Sequence, residues 1–176
     1  KYLLELLKTG LYEEFEQDFH RCAIPFLDET MYGRSILENS SFLASSVNPN
    51  EKIHGKGFVA RLSGSTAEFL QMWQIMMFGK NLFTVENGEL TLKFAPTIPE
   101  YLIGEEKKIE ASFLGSTPVE YHLADAHSFY PGNYQVGAIE IHWKSGDVNV
   151  TDRMGGAFAS KIRAGEADRI LVQLKR

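Results

Sequence analysis

The stretch SGSTAEFLQMWQIMMFGKNLFTVENGELTLKF, residues 63–94, contains the point at which the chain changes from helical to strand patterning. Its first half holds a continuous apolar run, and Gly79 follows that run as a helix stop. Its second half alternates polar and apolar residues around Asn87-Gly88, which is a strong hairpin signal. We therefore expect a helix followed closely by a β-hairpin.

Helical spacing dominates the residues before this stretch. A first helix is predicted over residues 1–9, ended by Gly10, and a second from residue 11 until Pro25 limits it. The serine-rich stretch SILENSSFLASSV, residues 35–47, is a third predicted helix, with a polar face. Residues 48–57 contain Asn-Pro and two glycines and are predicted to form a loop.

Strand spacing dominates the residues after the Asn87-Gly88 hairpin. Segments IEASFLG and VEYHL alternate, AIEIHWKSGDVNV is a second predicted hairpin, and RILVQLKR is a final strand. The fold class is therefore α+β, with a helical part over residues 1–80 and an antiparallel β domain over residues 81–176.

Composition excludes several classes of protein. The net charge is −5 and no run of lysine or arginine occurs, so nucleic acid is not an expected partner. No apolar run reaches the roughly 18 to 20 residues of a membrane span, and no signal peptide is recognisable. A single cysteine, Cys22, fits a reducing compartment, so we expect a cytoplasmic protein. Because the chain opens at Lys1 inside a helical pattern, we expect it to be the tail of a longer protein.

The residues Ser63 to Thr66 have the composition of an anion site. A helix that starts there offers unpaired amides and the positive end of its dipole, and Arg61 could add a charged fork. The competing interpretation is a capping box formed by Ser65 and Glu68, which only starts the helix.

Other polar residues also have two interpretations. His54 lies in a glycine-bearing loop, where its ring could reach a ligand or simply face solvent. Arg34 and Glu38 are four residues apart and could form an ion pair on a helix face or hold sugar hydroxyls.

The β half offers weaker candidates. His122, Asp125 and His127 resemble a metal set, but no fourth ligand has an obvious place, so no metal is expected. Trp143 most simply fills the β core. The predicted helix after residue 66 carries an apolar surface that is more typical of core packing than of a cofactor box, and its members are Met72, Trp73, Met76 and Met77.

The run YGRSILENSSFLASSVNPNEKIHGKGFVARLSGSTAEFLQMW, residues 32–73, resembles the C-terminal region of inverting glycoside phosphorylases of the cellobiose phosphorylase kind. The likeness is greatest to the cellobiose-phosphorylase-like and β-1,2-oligoglucan phosphorylase branch. It continues through LTLKFAPTIPEYL and IEASFLGSTPVEYHL, to about His122.

This resemblance implies that residues 1–80 are the last helices of an (α/α)₆ barrel and that a C-terminal β domain follows. It implies phosphorolysis of β-glucosidic bonds with inversion, which gives a sugar 1-phosphate. Inorganic phosphate is then a co-substrate, no cofactor is expected, and the partners are a β-glucan oligosaccharide and the rest of the barrel. A homodimer is left open.

The resemblance also implies roles for single residues. Ser63 and Gly64 match the family's phosphate-contacting hydroxyl and glycine, and Ser65 follows them in the turn. Glu38 matches a glutamate that opens the sugar-side segment, although SSFLASS after it departs from the commoner aromatic-rich pattern. The general acid has no match in this chain, so the chain alone is expected to be inactive.

Two alternatives stay open at this point. The full protein could be a hydrolase on the same barrel, with the residue 63–66 turn serving only as a helix cap. The chain could instead be a non-catalytic carbohydrate-binding or interaction module that uses the aromatic residues Tyr121, Tyr130 and Tyr134.

Overall fold

The computed structural model describes residues 1–36, 38, 40, 42–59 and 63–176, with the backbone alone at 63–65. The chain divides into two compact units, which we call the helical unit, Lys1–Trp73, and the β unit, Gln74–Arg176. The mixed α+β class is confirmed: helices are concentrated toward the N-terminus, and the β unit holds two sheets.

The helical unit opens with two helices at the predicted places, α1 (Tyr2–Thr9) and α2 (Tyr12–Cys22). Gly10 ends α1 in the left-handed conformation, with φ of 82°, as its position in the sequence predicted. Leu4 and Leu7 of α1 are buried three residues apart and Phe15 and Phe19 of α2 four apart, which is helical spacing, and Leu6 is buried beside them. A 3₁₀ turn, Ile24–Phe26, follows, and a short helix, α3 (Glu29–Tyr32), is capped by the Asp28 carboxylate.

The predicted third helix over residues 35–47 is wrong for the residues that the structure describes. Phe42–Leu43 is a short strand, β1, which pairs antiparallel with β2, Gly57–Phe58. The loop between them contains a 3₁₀ turn, Glu51–Ile53. Serine explains the failure, because its hydroxyl competes for backbone amides: the Ser45 hydroxyl accepts from the Val47 amide at 3.3 Å.

The helix predicted after residue 62 is present as α4, Ser63–Phe78, whose last part belongs to the β unit. A chain segment after the first hairpin satisfies the carbonyls at its C-terminal end. The Ala95 amide donates to the Phe78 carbonyl at 2.9 Å, and the Thr97 amide donates to the Met76 carbonyl at 2.8 Å. The buried Tyr121 hydroxyl donates to the remaining carbonyl between them, that of Met77, at 2.7 Å.

The predicted Asn87-Gly88 hairpin is confirmed as β3 (Phe83–Glu86) and β4 (Glu89–Leu92). Both turn residues have positive φ, 52° and 80°, as a two-residue hairpin loop requires. After a 3₁₀ turn at Glu100–Leu102 come the predicted strands β5 (Lys108–Phe113) and β6 (Thr117–Leu123). The second predicted hairpin is β7 (Gln135–Trp143) with β8 (Val148–Thr151).

The C-terminal part adds two elements that the sequence patterns did not predict, β9 (Met154–Gly155) and α5 (Ala157–Arg163). The last predicted strand is β10, Ala167–Lys175. The prediction of an antiparallel β domain needs a correction here, because β10 enters between β6 and β7 and pairs parallel with β6. The larger sheet is therefore mixed, in the order β5-β6-β10-β7-β8, and the smaller one has the order β3-β4-β9.

Alternation along the central strands separates a buried face of the larger sheet from a polar one. Val119, Ile141 and Ile170 are fully buried, and the residues that alternate with them include Glu120, Glu140 and His142. Trp143 is buried too, as predicted for a core residue.

Candidate functional site

The predicted site residues Arg34, Glu38 and His54 lie in the helical unit, between α3 and β2. Arg34 bridges two chain segments there. Its Nε donates to the Gly57 carbonyl at 3.0 Å, and its Nη1 donates to Glu38 Oε2 at 3.1 Å. The ion pair that was one interpretation of the Arg34 and Glu38 spacing is therefore present, but it joins loop residues rather than two turns of a helix.

The Glu38 carboxylate remains accessible in spite of this pairing. Its side chain is 57% exposed and that of Arg34 is 36% exposed. An ion pair this open is worth only about 0 to 1 kcal/mol, because water screens it. Glu38 can therefore exchange its arginine partner for the hydroxyl donors of a ligand at low cost.

Tyr32 holds the backbone of Glu38 beside this ion pair, and no sequence pattern indicated Tyr32 as a site residue. It is 1% exposed, and its hydroxyl donates to the Glu38 carbonyl oxygen at 2.7 Å. A Cβ built on Gly57 would lie 2.2 Å from Cε2 of the same ring, so only glycine fits there. A glycine at the end of the HGKG loop indicated that another group packs closely against the backbone there. Nothing in the sequence indicated that this group is the Tyr32 ring.

His54 lies in the loop between β1 and β2 and is half-buried. Its Nε2 lies 2.7 Å from the Asn48 carbonyl oxygen, so the ring fixes the start of the loop. Because a carbonyl oxygen only accepts, Nε2 is the donor in this bond, and Nδ1 is the ring nitrogen left for another contact. If His54 contacts a ligand, as the sequence analysis allowed, Nδ1 is therefore the ring nitrogen that does so.

The predicted phosphate-binding residues, Ser63, Gly64 and Ser65, form the first turn of α4. A capping box would place Ser65 just before the first turn of the helix. Because α4 begins at Ser63, Ser65 lies inside the first turn instead, so the capping-box interpretation does not match the observed helix start. Arg61 lies outside the described residues.

The apolar surface of α4 is divided between buried and exposed residues. Met72 is 6% exposed and Met76 is fully buried, which fits core packing. Phe69 is 51% exposed, Leu70 63% and Trp73 41%, so the first half of the helix also presents large apolar side chains to solvent. Helices that are apolar on all sides normally lie inside a larger helical body.

The three residues that resembled a metal set are not brought together. His122 pairs with Glu120, and Asp125 forms a double hydrogen bond with Arg176. Nδ1 of His127 lies 3.9 Å from the Glu100 carboxylate. Within the described ranges, no group of three or more His, Cys, Asp or Glu side chains could hold a metal ion.

A charged cluster occupies the polar face of the larger sheet. The Glu120 side chain is only 12% exposed and contacts Arg169, His122 and Lys108. Burial raises the pKa of Glu120, but the hydrogen bond with His122 and the charges of Arg169 and Lys108 lower that pKa by more. The charges of this cluster are paired, although the buried Nε of Arg169 has no hydrogen-bond partner among the described residues.

A cleft of about 640 Å³ lies beside the turn between β7 and β8. Lysines and acidic residues both line it, including Lys144, Asp147, Lys161 and Glu166. Trp143 forms part of its wall, but the indole is 7% exposed, with Lys161 Nζ 5.5 Å from the ring centroid. The cleft therefore offers neither an open aromatic platform nor a single sign of charge.

Comparison with known proteins gave no relative: neither a scan against protein-family models nor a search of curated proteins found a match. In the part of the chain that the structure describes, no helix combines the length and apolar character needed to cross a membrane.

Proposed function

We propose that this chain is the C-terminal part of an inverting glycoside phosphorylase of the cellobiose phosphorylase kind, acting in the cytoplasm, and that the start of α4 binds inorganic phosphate. The observation that carries the proposal is the beginning of α4 at Ser63. The amides of Ser63, Gly64 and Ser65 thus fall in the first turn, where no intrahelical acceptor exists. They lie at the positive end of a helix dipole, which favours a phosphate dianion.

The exposed apolar residues of α4 support the barrel part of the proposal. Phe69, Leu70 and Trp73 leave large apolar surface on a helix that also buries its opposite side. In the proposed enzyme these side chains pack against other helices of the (α/α)₆ barrel. Burial of such side chains is worth roughly 1.5 to 3 kcal/mol each, enough to hold the segment in the barrel.

The proposed reaction transfers a glycosyl group to phosphate. A phosphate oxygen forms a bond to the anomeric carbon while the bond from that carbon to the leaving sugar oxygen breaks, and a carboxylic acid supplies the proton to that oxygen. Attack from the opposite face inverts the configuration. Helix amides suit this role because they stabilise the dianion without taking a proton from it or giving one.

The other two hypotheses are less well supported. A hydrolase on the same barrel leaves the first turn of α4 without a substrate role. The interaction module depended on exposed tyrosines in the β unit, but Tyr121 is fully buried, and the Tyr134 hydroxyl donates to the Pro96 carbonyl at 2.9 Å. Tyr130 and Tyr134 are half-buried.

The test is phosphorolysis of β-linked gluco-oligosaccharides by the longer protein, with and without inorganic phosphate. Ser63→Ala is expected to raise the phosphate KM by about tenfold or more, as expected when a charge-assisted hydrogen bond is lost. Gly64→Ala keeps the amide and is expected to raise the phosphate KM because its added methyl group hinders the close approach of phosphate to the backbone. Alanine favours a helix more than glycine does, so a loss in Gly64→Ala does not reflect a weaker helix.

Ser160→Ala is the matched control, because it removes an exposed serine hydroxyl from α5 in the β unit. It should leave the phosphate KM unchanged. Sugar release that does not need phosphate, and that neither substitution in α4 affects, would support the hydrolase instead. The 176-residue chain alone should release no sugar phosphate, because the proposed general acid lies in another part of the enzyme.

A further inference from the structure

The starting observation is a buried tyrosine that joins two segments of the candidate site. Tyr32 ends α3, is 1% exposed, and donates its hydroxyl proton to the Glu38 carbonyl at 2.7 Å. This bond is part-buried and ties a buried ring to a backbone oxygen six residues further along the chain, so its loss removes a specific link at Glu38. The bond therefore fixes the backbone of Glu38 rather than its carboxylate.

The same tyrosine ring fixes the second segment by close packing. It fills the space above Gly57, where an added Cβ would lie 2.2 Å from Cε2 and 2.8 Å from Cζ. Arg34 joins the same two segments through hydrogen bonds to the Gly57 carbonyl and to the Glu38 carboxylate. One ring and one guanidinium thus hold the Glu38 loop against β2.

We propose that Tyr32 is a positioning residue, which sets the place of the Glu38 carboxylate for contact with sugar hydroxyls. This inference rests on the proposed function, in which Glu38 lies on the sugar side of the reaction. Tyr32 is buried and does not touch the sugar itself, whereas the Glu38 side chain is 57% exposed. The effect of Tyr32 on sugar binding must therefore pass through Glu38.

The first test uses Tyr32→Phe in the longer protein, since this change keeps the ring above Gly57 and removes only the hydroxyl. The KM for a β-linked glucose disaccharide should rise about 3- to 10-fold, the range expected for one lost hydrogen bond, while the phosphate KM stays unchanged. Tyr2→Phe is the matched control, because Tyr2 is in the same unit and its hydroxyl bonds to Asp18 instead.

A double-mutant cycle separates positioning from a general structural role. In a Glu38→Gln background, Tyr32→Phe should cause little further rise in the disaccharide KM, because the carboxylate it positions is already absent. Additive effects of the two substitutions, an unchanged disaccharide KM in Tyr32→Phe, or an equal rise in the phosphate KM would each overturn the proposal.

A second readout tests the anchoring without using activity. In the 176-residue chain, amide hydrogen exchange of residues 34–43 and 56–59 should be at least about threefold faster in Tyr32→Phe than in wild type or Tyr2→Phe. Unchanged exchange would overturn the anchoring role of Tyr32 on its own. A wild-type protein without any phosphate-dependent activity would overturn the proposed function, and with it the sugar-binding role, even if the exchange result were as expected.

Discussion

The helical unit and the β unit differ in how completely they cover their own apolar surface. In the β unit, residues such as Val119, Tyr121 and Ile170 are fully buried. Most of the large hydrophobic side chains that are exposed lie instead in the helical unit, including Met31, Phe42, Val47 and Phe69. The β unit thus has a closed core of its own, whereas the helical unit has the surface of a piece that packs against something else.

The largest expected effect is on the closed core of the β unit. Phe113 is 2% exposed, and its ring centroid lies 5.0 Å from that of Phe78 and 5.2 Å from that of Phe94. Phe113→Ala should lower the free energy of unfolding by about 3 to 5 kcal/mol, through lost burial and the cavity left behind. Urea titration followed by Trp143 fluorescence, in a Trp73→Phe background, measures this.

The matched substitution in the helical unit is Phe69→Ala. Because Phe69 is 51% exposed, its removal should change the stability by less than about 0.5 kcal/mol in the same titration. Similar losses of unfolding free energy in Phe69→Ala and Phe113→Ala would contradict the difference between the two units, since they would mean that Phe69 packs as tightly as Phe113.

The second expected effect is on association of the isolated chain. Exposed apolar residues on α4 should cause self-association, and Leu70→Glu should weaken it about tenfold or more in dissociation constant, because a glutamate disfavours burial of that face. Size-exclusion chromatography with light scattering measures the mass. Val150→Glu is the control, since it adds the same charge at a 67% exposed position of the β unit. A monomeric wild-type chain, or an equal effect of the control, would disagree with this interpretation.

The same division explains which parts of the fold the sequence could predict. The Asn87-Gly88 hairpin and the strands β5 to β8 follow from local turn chemistry and alternation, which the chain carries residue by residue. The parallel pairing of β10 with β6 does not, because it joins Val119 to Ile170, fifty-one positions apart, and no local pattern encodes such a contact.

The candidate site shows the same limit in the helical unit. Apolar spacing in residues 35–47 predicted a helix, but the segment instead pairs with Gly57–Phe58 and accepts the Tyr32 hydrogen bond. The spacing of Arg34 and Glu38 suggested their ion pair, but on a helix that the structure does not show at these two residues. Their support by Tyr32 depends on tertiary packing against Gly57, so the structure was needed to find it.

The smallest expected effect concerns a surface contact that closes the β unit, between Asp125 and Arg176. Arg176 donates to both oxygens of the Asp125 carboxylate, at 3.0 and 3.2 Å, and the His127 amide donates to one of them at 2.9 Å. These bonds, with that of Arg176 as the strongest influence, lower the pKa of Asp125 from 3.8 to about 2. Because the folded-state pKa lies below the unfolded value, the contact stabilises the fold above about pH 4, and this contribution is lost as the pH falls from there toward about 2.

Asp125→Asn removes the titrating group, so the free energy of unfolding of the variant should depend less on pH between about 4 and 2. Wild type should be more stable than the variant at pH 6, by no more than about 1 kcal/mol because the pair is about one-third exposed, and the difference should shrink as the pH falls below about 4 and vanish only below the folded-state pKa of about 2. Urea titrations at a series of pH values measure the difference. Asp168→Asn, at an exposed position of β10, is the control for the loss of a surface carboxylate. An Asp125→Asn profile parallel to that of wild type down to pH 2 would mean that the Arg176 contact is too well screened to hold the loop in solution, and that the core of the β unit alone orders it.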